Sequence, residues 1–109
     1  MGYQADLGNG YWGTLYDEER RNKKLIEMDQ KEAIKLVKKK EGEWNDYRVL
    51  CEGKRIQIWL NGKQTIDYTE KEKEYKGKEI ADKGHIGLQI HSGGPSEAWF
   101  KDIKIIELP

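Results

Sequence analysis

The stretch Arg55-Ile56-Gln57-Ile58-Trp59-Leu60-Asn61-Gly62-Lys63-Gln64-Thr65-Ile66-Asp67-Tyr68 constrains this chain more than any other. Apolar and polar residues alternate up to Asn61-Gly62, and an apolar-polar run resumes after it. Period two is the pattern of a strand with one buried face. Asn-Gly best supplies the two positive φ values that a type I′ turn needs. Tyr47 to Cys51 is another short apolar-rich run, and Glu52-Gly53 reads as a tight turn. Residues 47–68 are therefore expected to form a three-strand antiparallel meander.

The rest of the chain is read around that meander. Residues 3–7 alternate, with Tyr3, Ala5 and Leu7 inward and Gln4 and Asp6 on the other face. Gly8-Asn9-Gly10 is turn chemistry, so Tyr11 to Tyr16 is expected to return as the second strand of a hairpin. Residues 17–28 show no clean period and read as an ordered loop that includes a short strand. A helix is expected over 29–40. Asp29 caps it, Glu32 completes a capping-box-like pair, Ala33, Ile34, Leu36 and Val37 make its apolar stripe, and Gly42 follows its end. Residues 69–83 are charged and read as a solvated connection. Residues 85–91 alternate without a break. Ala98 to Leu108 is the last expected strand, with a bulge near Lys101-Asp102 because Phe100 and Ile103 fall on opposite faces. Six or seven hairpin-linked strands with one short helix make an all-β antiparallel sandwich.

The chain has 109 residues, which is one domain's worth. Charged residues make up 37%, but Lys+Arg and Asp+Glu each number 20, so the net charge is zero. That argues against a nucleic-acid partner, which calls for a basic face. The run Lys38-Lys39-Lys40 is followed by Glu41 and Glu43 and reads as a solvated helix end. No stretch approaches the ~18 apolar residues of a membrane-spanning helix, so no membrane partner is expected. Residues 1–20 hold no apolar core of a secretion signal. The single cysteine, Cys51, makes no internal disulfide and reads as a buried, inert thiol.

Alternation also sorts side chains by face. Gln4 and Asp6 share one polar face, Arg55, Gln57 and Trp59 another, and Gln89 and His91 a third. Each could be the solvent face of a sheet. Such faces are usually filled with Lys, Glu and Thr, which this chain spends freely elsewhere. An aromatic plane among amides and carboxylates suits a sugar ring, whose C–H faces stack while its hydroxyls hydrogen-bond. A carbohydrate ligand is therefore expected. His85 and His91 lie too far apart along one strand to ligate one metal. Asp17/Glu18 with Arg20/Arg21 read equally well as substrate contacts or as a surface ion-pair cluster.

Several of these stretches together resemble the bacterial 3-keto-disaccharide hydrolase family, formerly a domain of unknown function, whose fold is the concanavalin A-like lectin/glucanase jelly roll. They are Gly2 to Asp6, Gly10 to Glu18, Trp44 to Arg48, Ile58 to Gly62, Gly87 to Pro95 and Phe100 to Lys104. The order is kept over nearly the whole chain, and Gly87 to Pro95 is the most specific piece. The resemblance covers the C-terminal part of the family's usual length. It implies a truncated jelly-roll-like sandwich whose strands either close on themselves or are completed by homodimerisation, with a solution mass of roughly twice 12.8 kDa. A bacterial periplasmic or secreted location is also implied.

The resemblance further implies a chemistry. A ketone at C3 of a glycoside acidifies the C2 proton. A base removes it, the C1 substituent leaves, and water adds. Carried over by position, His91, Asp6 and Gln89 are the catalytic candidates, with His91 as base or metal ligand and Asp6 as its orienter or second ligand. A divalent metal ion is the implied enolate stabiliser. Gln4, Tyr16, Glu18, Arg20, Arg55, Gln57 and Trp59 are the candidate substrate contacts. Beside this 3-keto-glycoside hydrolase or lyase stand two alternatives. One is a carbohydrate-binding module without catalysis, and the other a minimal or engineered β-sandwich scaffold without activity.

Overall fold

The computed structural model describes residues 2–81, 83–90 and 97–109. Eight strands and one helix form among them, all strand pairs being antiparallel. The first sheet holds β1 (Gly2–Asp6), β2 (Thr14–Glu18) and β3 (Lys23–Ile26), in that order. After α1 (Gln30–Leu36) comes the second sheet, β4 (Tyr47–Glu52), β5 (Arg55–Leu60) and β6 (Lys63–Thr69). The expected meander is formed. Leu60 lies opposite Lys63, and Asn61 and Gly62 take φ of 49° and 83°, a type I′ turn. Its other turn is Gly53-Lys54, one residue later than expected, because Glu52 pairs with Arg55. The first hairpin is also present, but β2 starts at Thr14 rather than Tyr11.

The two sheets face each other across a small core. Leu15 of β2 and Ile56, Ile58 and Ile66 of β5 and β6 are its buried centre, with Tyr3, Ala5, Leu25, Ile26, Tyr47 and Tyr68 packed around them. Each sheet carries one bulge, and each bulge sets two consecutive residues inward. In the first sheet Leu15 pairs with Ile26 and Tyr16 with Lys24, so Leu25 is the extra residue. In the second, Ile58 pairs with Ile66 and Trp59 with Gln64, so Thr65 is extra. The Thr65 hydroxyl then lies 2.9 Å from the Gly13 carbonyl, where the first hairpin crosses β6. A Cβ on Gly13 would stand 2.6 Å from the Thr65 side chain, and Gly13 has φ of 66°. Only glycine fits that crossing.

A buried ionic cluster fastens the end of this core. Asp17 (0% exposed) is bound by Arg20 at 2.9 and 3.0 Å and by Arg21. Arg21 also reaches Glu70, just past β6, so one guanidinium joins carboxylates from both sheets. Tyr3 donates its hydroxyl to Glu70 at 2.6 Å. Burial pushes the Glu70 carboxyl upward, but the hydrogen bonds from Arg21, Tyr3 and the Glu72 amide outweigh it and hold the group at about 2.

Helix α1 begins as its residues predict. The Asp29 side chain accepts from the Lys31 amide at 2.8 Å. Glu32 does not close a capping box and instead pairs with Lys35 at 3.1 Å. The helix stops at Leu36, short of the expected Lys40. Asparagine side chains take over the backbone groups there. Asn61 Nδ2 donates to the Leu36 carbonyl at 2.6 Å, and Asn45 accepts from the Lys38 amide at 2.7 Å and donates to its carbonyl at 3.1 Å. The type I′ turn thus ends the helix as well as the hairpin.

Three expectations are corrected. Residues 69–83 are not simply a solvated connection. Glu70 and Ile80 are buried, and β7 (Glu74–Tyr75) and β8 (Lys78–Glu79) form a small hairpin around Lys76-Gly77. Residues 83–90 and 97–109 form no strand, although 85–91 and 98–108 were both expected to. No ladder partner lies beside them among the described residues, and alternation without a partner does not make a strand. Asp102, at the expected bulge, sits at φ of 52°. Finally, Cys51 is exposed rather than buried. It lies on the inward side of β4, an outermost strand of its sheet. Partial desolvation still raises its thiol pKa, so it remains a protonated thiol at neutral pH.

Candidate functional site

The outer face of the first sheet gathers the largest share of the expected site residues. The register sets Gln4 of β1 opposite Tyr16 of β2, and Tyr16 opposite Lys24 of β3. Opposed residues on neighbouring strands project to the same face, so amide, phenol and ammonium make one row across the sheet. Asp6 and Glu18 flank that row, opposite Thr14 and Gly2 respectively.

The loop between β1 and β2 folds over the edge of this face. Tyr11 meets Tyr16 edge-on, with ring centroids 6.4 Å apart and an interplanar angle of 68°. The Lys24 ammonium sits 4.5 Å above the Tyr11 ring and donates to the Gly10 carbonyl at 2.7 Å and to Glu27 at 2.8 Å. Desolvation, then the charges of Glu18 and Asp6 and the neighbouring Tyr11, push the Tyr16 phenol above its ordinary value. Tyr16 therefore stays protonated at neutral pH and presents a donor between two carboxylates. Gln4 also donates to the Gln89 side chain. That contact brings residues 85 positions apart in the sequence onto one surface.

The remaining candidates lie elsewhere. Arg20 is on the inward side of the first sheet, bound to Asp17 and stacked 4.8 Å from the Tyr3 ring. Of the two readings of Asp17 with Arg20 and Arg21, the ion-pair cluster is the one formed, buried rather than on the surface. Arg55, Gln57 and Trp59 line the outer face of the second sheet, across the core from Gln4 and Tyr16. Arg55 is held by Asp67 at 2.6 and 2.9 Å, Gln57 accepts from Gln64 at 3.0 Å, and Arg48 stacks 4.9 Å from the Trp59 ring. Asp46, Tyr47, Arg48, Trp59 and Gly62 line a shallow groove of about 380 Å³ there. Identical alternation in two facing sheets sends their polar residues to opposite sides of the molecule.

His91 lies outside the described residues, as do Ser92 to Pro95. Asp6, its expected partner as a metal ligand, is described. Among the described residues no three metal-ligating side chains converge. Tyr11 and Lys24 were missed as members of this face. Tyr11 was read as part of a strand, and the Leu25 bulge removes the period that would have assigned Lys24 a side.

A family model, the 3-keto-alpha-glucoside-1,2-lyase-like domain, matches residues 1–106. The chain belongs to this family. No curated protein and no solved structure matches it. The matched range of this lyase-like domain takes in both sheets and the segment that carries Gln89. The family and the antiparallel two-sheet architecture agree with the expected all-β sandwich. Among the described residues no helix is long and apolar enough to cross a membrane.

Proposed function

We propose that this domain binds a 3-keto-glycoside on the outer face of its first sheet and cleaves the glycosidic bond by removing the proton at C2. The observation that carries the proposal is the row of Gln4, Tyr16 and Lys24, flanked by Asp6 and Glu18 and extended by Gln89. Its amide, phenol and carboxylate groups suit sugar hydroxyls, and Tyr11 and Tyr16 offer ring faces and edges to the pyranose C–H surface.

The chemistry follows from the substrate. The C3 ketone makes the C2–H acidic, and a carboxylate of this face or the imidazole of His91 takes that proton. The electron pair forms the enolate and then the C1=C2 double bond as the C1–O bond breaks. The departing alcohol leaves with a proton, and the Tyr16 phenol, in the middle of the row, is the O–H donor assigned to deliver it. The products are an enone and an alcohol, and water added across the double bond gives the free 3-keto sugar.

Incubation with a 3-keto-disaccharide in D2O tests this directly. Ultraviolet absorbance reads the enone, and proton NMR reads exchange at C2 and release of the alcohol. Turnover is expected, with Tyr16→Phe and Glu18→Gln each lowering it about 100-fold and Arg55→Ala leaving it within about twofold. Turnover that ignores Tyr16 and Glu18 rejects this face as the site. A second reading, recognition without turnover, draws support from Gln89 reaching the face from an irregular segment, since catalysis demands tighter positioning than binding does. Saturable sugar binding with no C2 exchange would select it.

A further inference from the structure

The second sheet ends on an edge that carries few of the usual guards against pairing. β4 is outermost in the order β4-β5-β6, and no strand among the described residues pairs its other side. Edge strands are usually guarded by lysine, proline or a covering segment. β3 carries Lys23 and Lys24, β6 opens with Lys63, and β1 has Gln89 against Gln4. β4 reads Tyr47-Arg48-Val49-Leu50-Cys51-Glu52, with neither lysine nor proline. Val49 is 43% exposed and Cys51 is exposed, although both face the side that buries Ile58 and Ile56 on β5.

We infer that β4 pairs antiparallel with β4 of a second copy about a two-fold axis at Leu50, joining two three-stranded sheets into one of six. Charge complementarity fixes the occupant and the register. With Leu50 opposite itself, Arg48 faces Glu52 of the second copy, and Glu52 faces its Arg48. Val49 meets Cys51 on the inward side. A slip of two residues one way opposes Arg48 to Lys54, and two the other way opposes Glu52 to Asp46. Both juxtapose like charges, which destabilises a pair. A slip of one residue would set inward residues opposite outward ones. The segment is therefore complementary to itself in one register only, as a two-fold interface requires.

Light scattering at about 100 μM, far above a micromolar Kd, tests the pairing, and roughly twice 12.8 kDa is expected. Arg48→Glu should weaken the dimer at least tenfold, and Arg48→Glu with Glu52→Arg should restore it to within about threefold. Circular dichroism of each variant confirms that the fold is retained. Leu50→Cys in a Cys51→Ser background places thiols across the axis and should give an oxidised covalent dimer much faster than the unaltered chain, whose Cys51 faces Val49. A monomer at that concentration overturns the inference. So does a dimer indifferent to Arg48→Glu, a charge swap without rescue, or a Leu50→Cys protein that cross-links no faster than the original. A monomer whose Cys51 resists thiol reagents would mean that the chain's own 85–90 segment covers β4 instead.

Discussion

In β5, Ile56, Ile58 and Leu60 are 6%, 0% and 0% exposed, whereas Ile86, Leu88 and Ile90 in the later segment are 78%, 60% and 53% exposed. The two stretches alternate with equal regularity. β5 lies between β4 and β6, with a ladder on each side and the first sheet stacked over its apolar face. Residues 83–90 have no ladder among the described residues and meet the body through Gln89 on Gln4. Alternation divides a segment into two faces. It becomes a strand only when neighbours satisfy its backbone groups and a second layer covers its apolar side.

Truncating one side chain in each stretch gives the largest contrast. Ile58→Ala removes a fully buried side chain from the centre of the core and should cost about 3–4 kcal/mol. That is a large part of the ~5–15 kcal/mol that holds a domain of this size together. Ile86→Ala should change stability by less than about 0.5 kcal/mol. Urea titrations of both variants measure the difference. If Ile86→Ala costs as much as Ile58→Ala, the 85–90 segment packs on a surface of its own in solution and the contrast fails.

A smaller effect separates the two ways in which the sheets are joined. Near Ile58 they meet through apolar packing, and at the end of the core through Arg21 between Asp17 and Glu70. Glu70→Gln leaves Arg21 with one fewer carboxylate in a buried setting and should cost about 3 kcal/mol. The pH dependence has a definite sign. Folding lowers the Glu70 carboxyl from 4.5 to about 2. Its contribution is therefore complete above the unfolded value and is lost as the pH falls toward 2. Urea midpoints of the parent chain should drop between pH 5 and about 2.5, and the drop should be shallower in Glu70→Gln. Equal slopes would show that Glu70 is not the acid-sensitive link between the sheets.

The meander, the first hairpin and the helix start were legible because each depends on residues close in sequence. Asn61-Gly62 needs only its own backbone freedom, and Asp29 needs only the amide two residues on. The inward turn of both Leu25 and Ile26, and of both Thr65 and Ile66, was not legible. A bulge is fixed by the partner strand, and its effect on the sequence is to erase the period. The side of Arg20 was not legible either, because it lies in the turn after β2, where no strand period assigns a face. Of the candidate face, Gln4, Asp6, Tyr16 and Glu18 were identified by type and position. Their neighbours Tyr11 and Lys24 came from a loop fold and a register that no local pattern encodes. Arg55, Gln57 and Trp59 have similar chemistry in the other layer, because alternation assigns a face within a strand but not which side of the molecule that face meets.

The smallest effect uses one glycine from each stretch. Gly62 occupies the second positive-φ position of the type I′ turn, at 83°. An added Cβ meets nothing within 4 Å, so its cost is conformational and not steric crowding with the rest of the fold. Gly62→Ala should therefore destabilise the domain by about 1 kcal/mol. Gly87 also has open space around it and has no positive φ. Gly87→Ala restricts the unfolded chain without straining the folded one, and should leave stability unchanged or raise it by a few tenths of a kcal/mol. Thermal melts of the two variants beside the parent chain resolve a difference of that size. A penalty at Gly87 equal to that at Gly62 would mean that residues 85–90 enter a backbone-restricted structure in solution, and the alternation there would then belong to a strand whose partner has yet to be located.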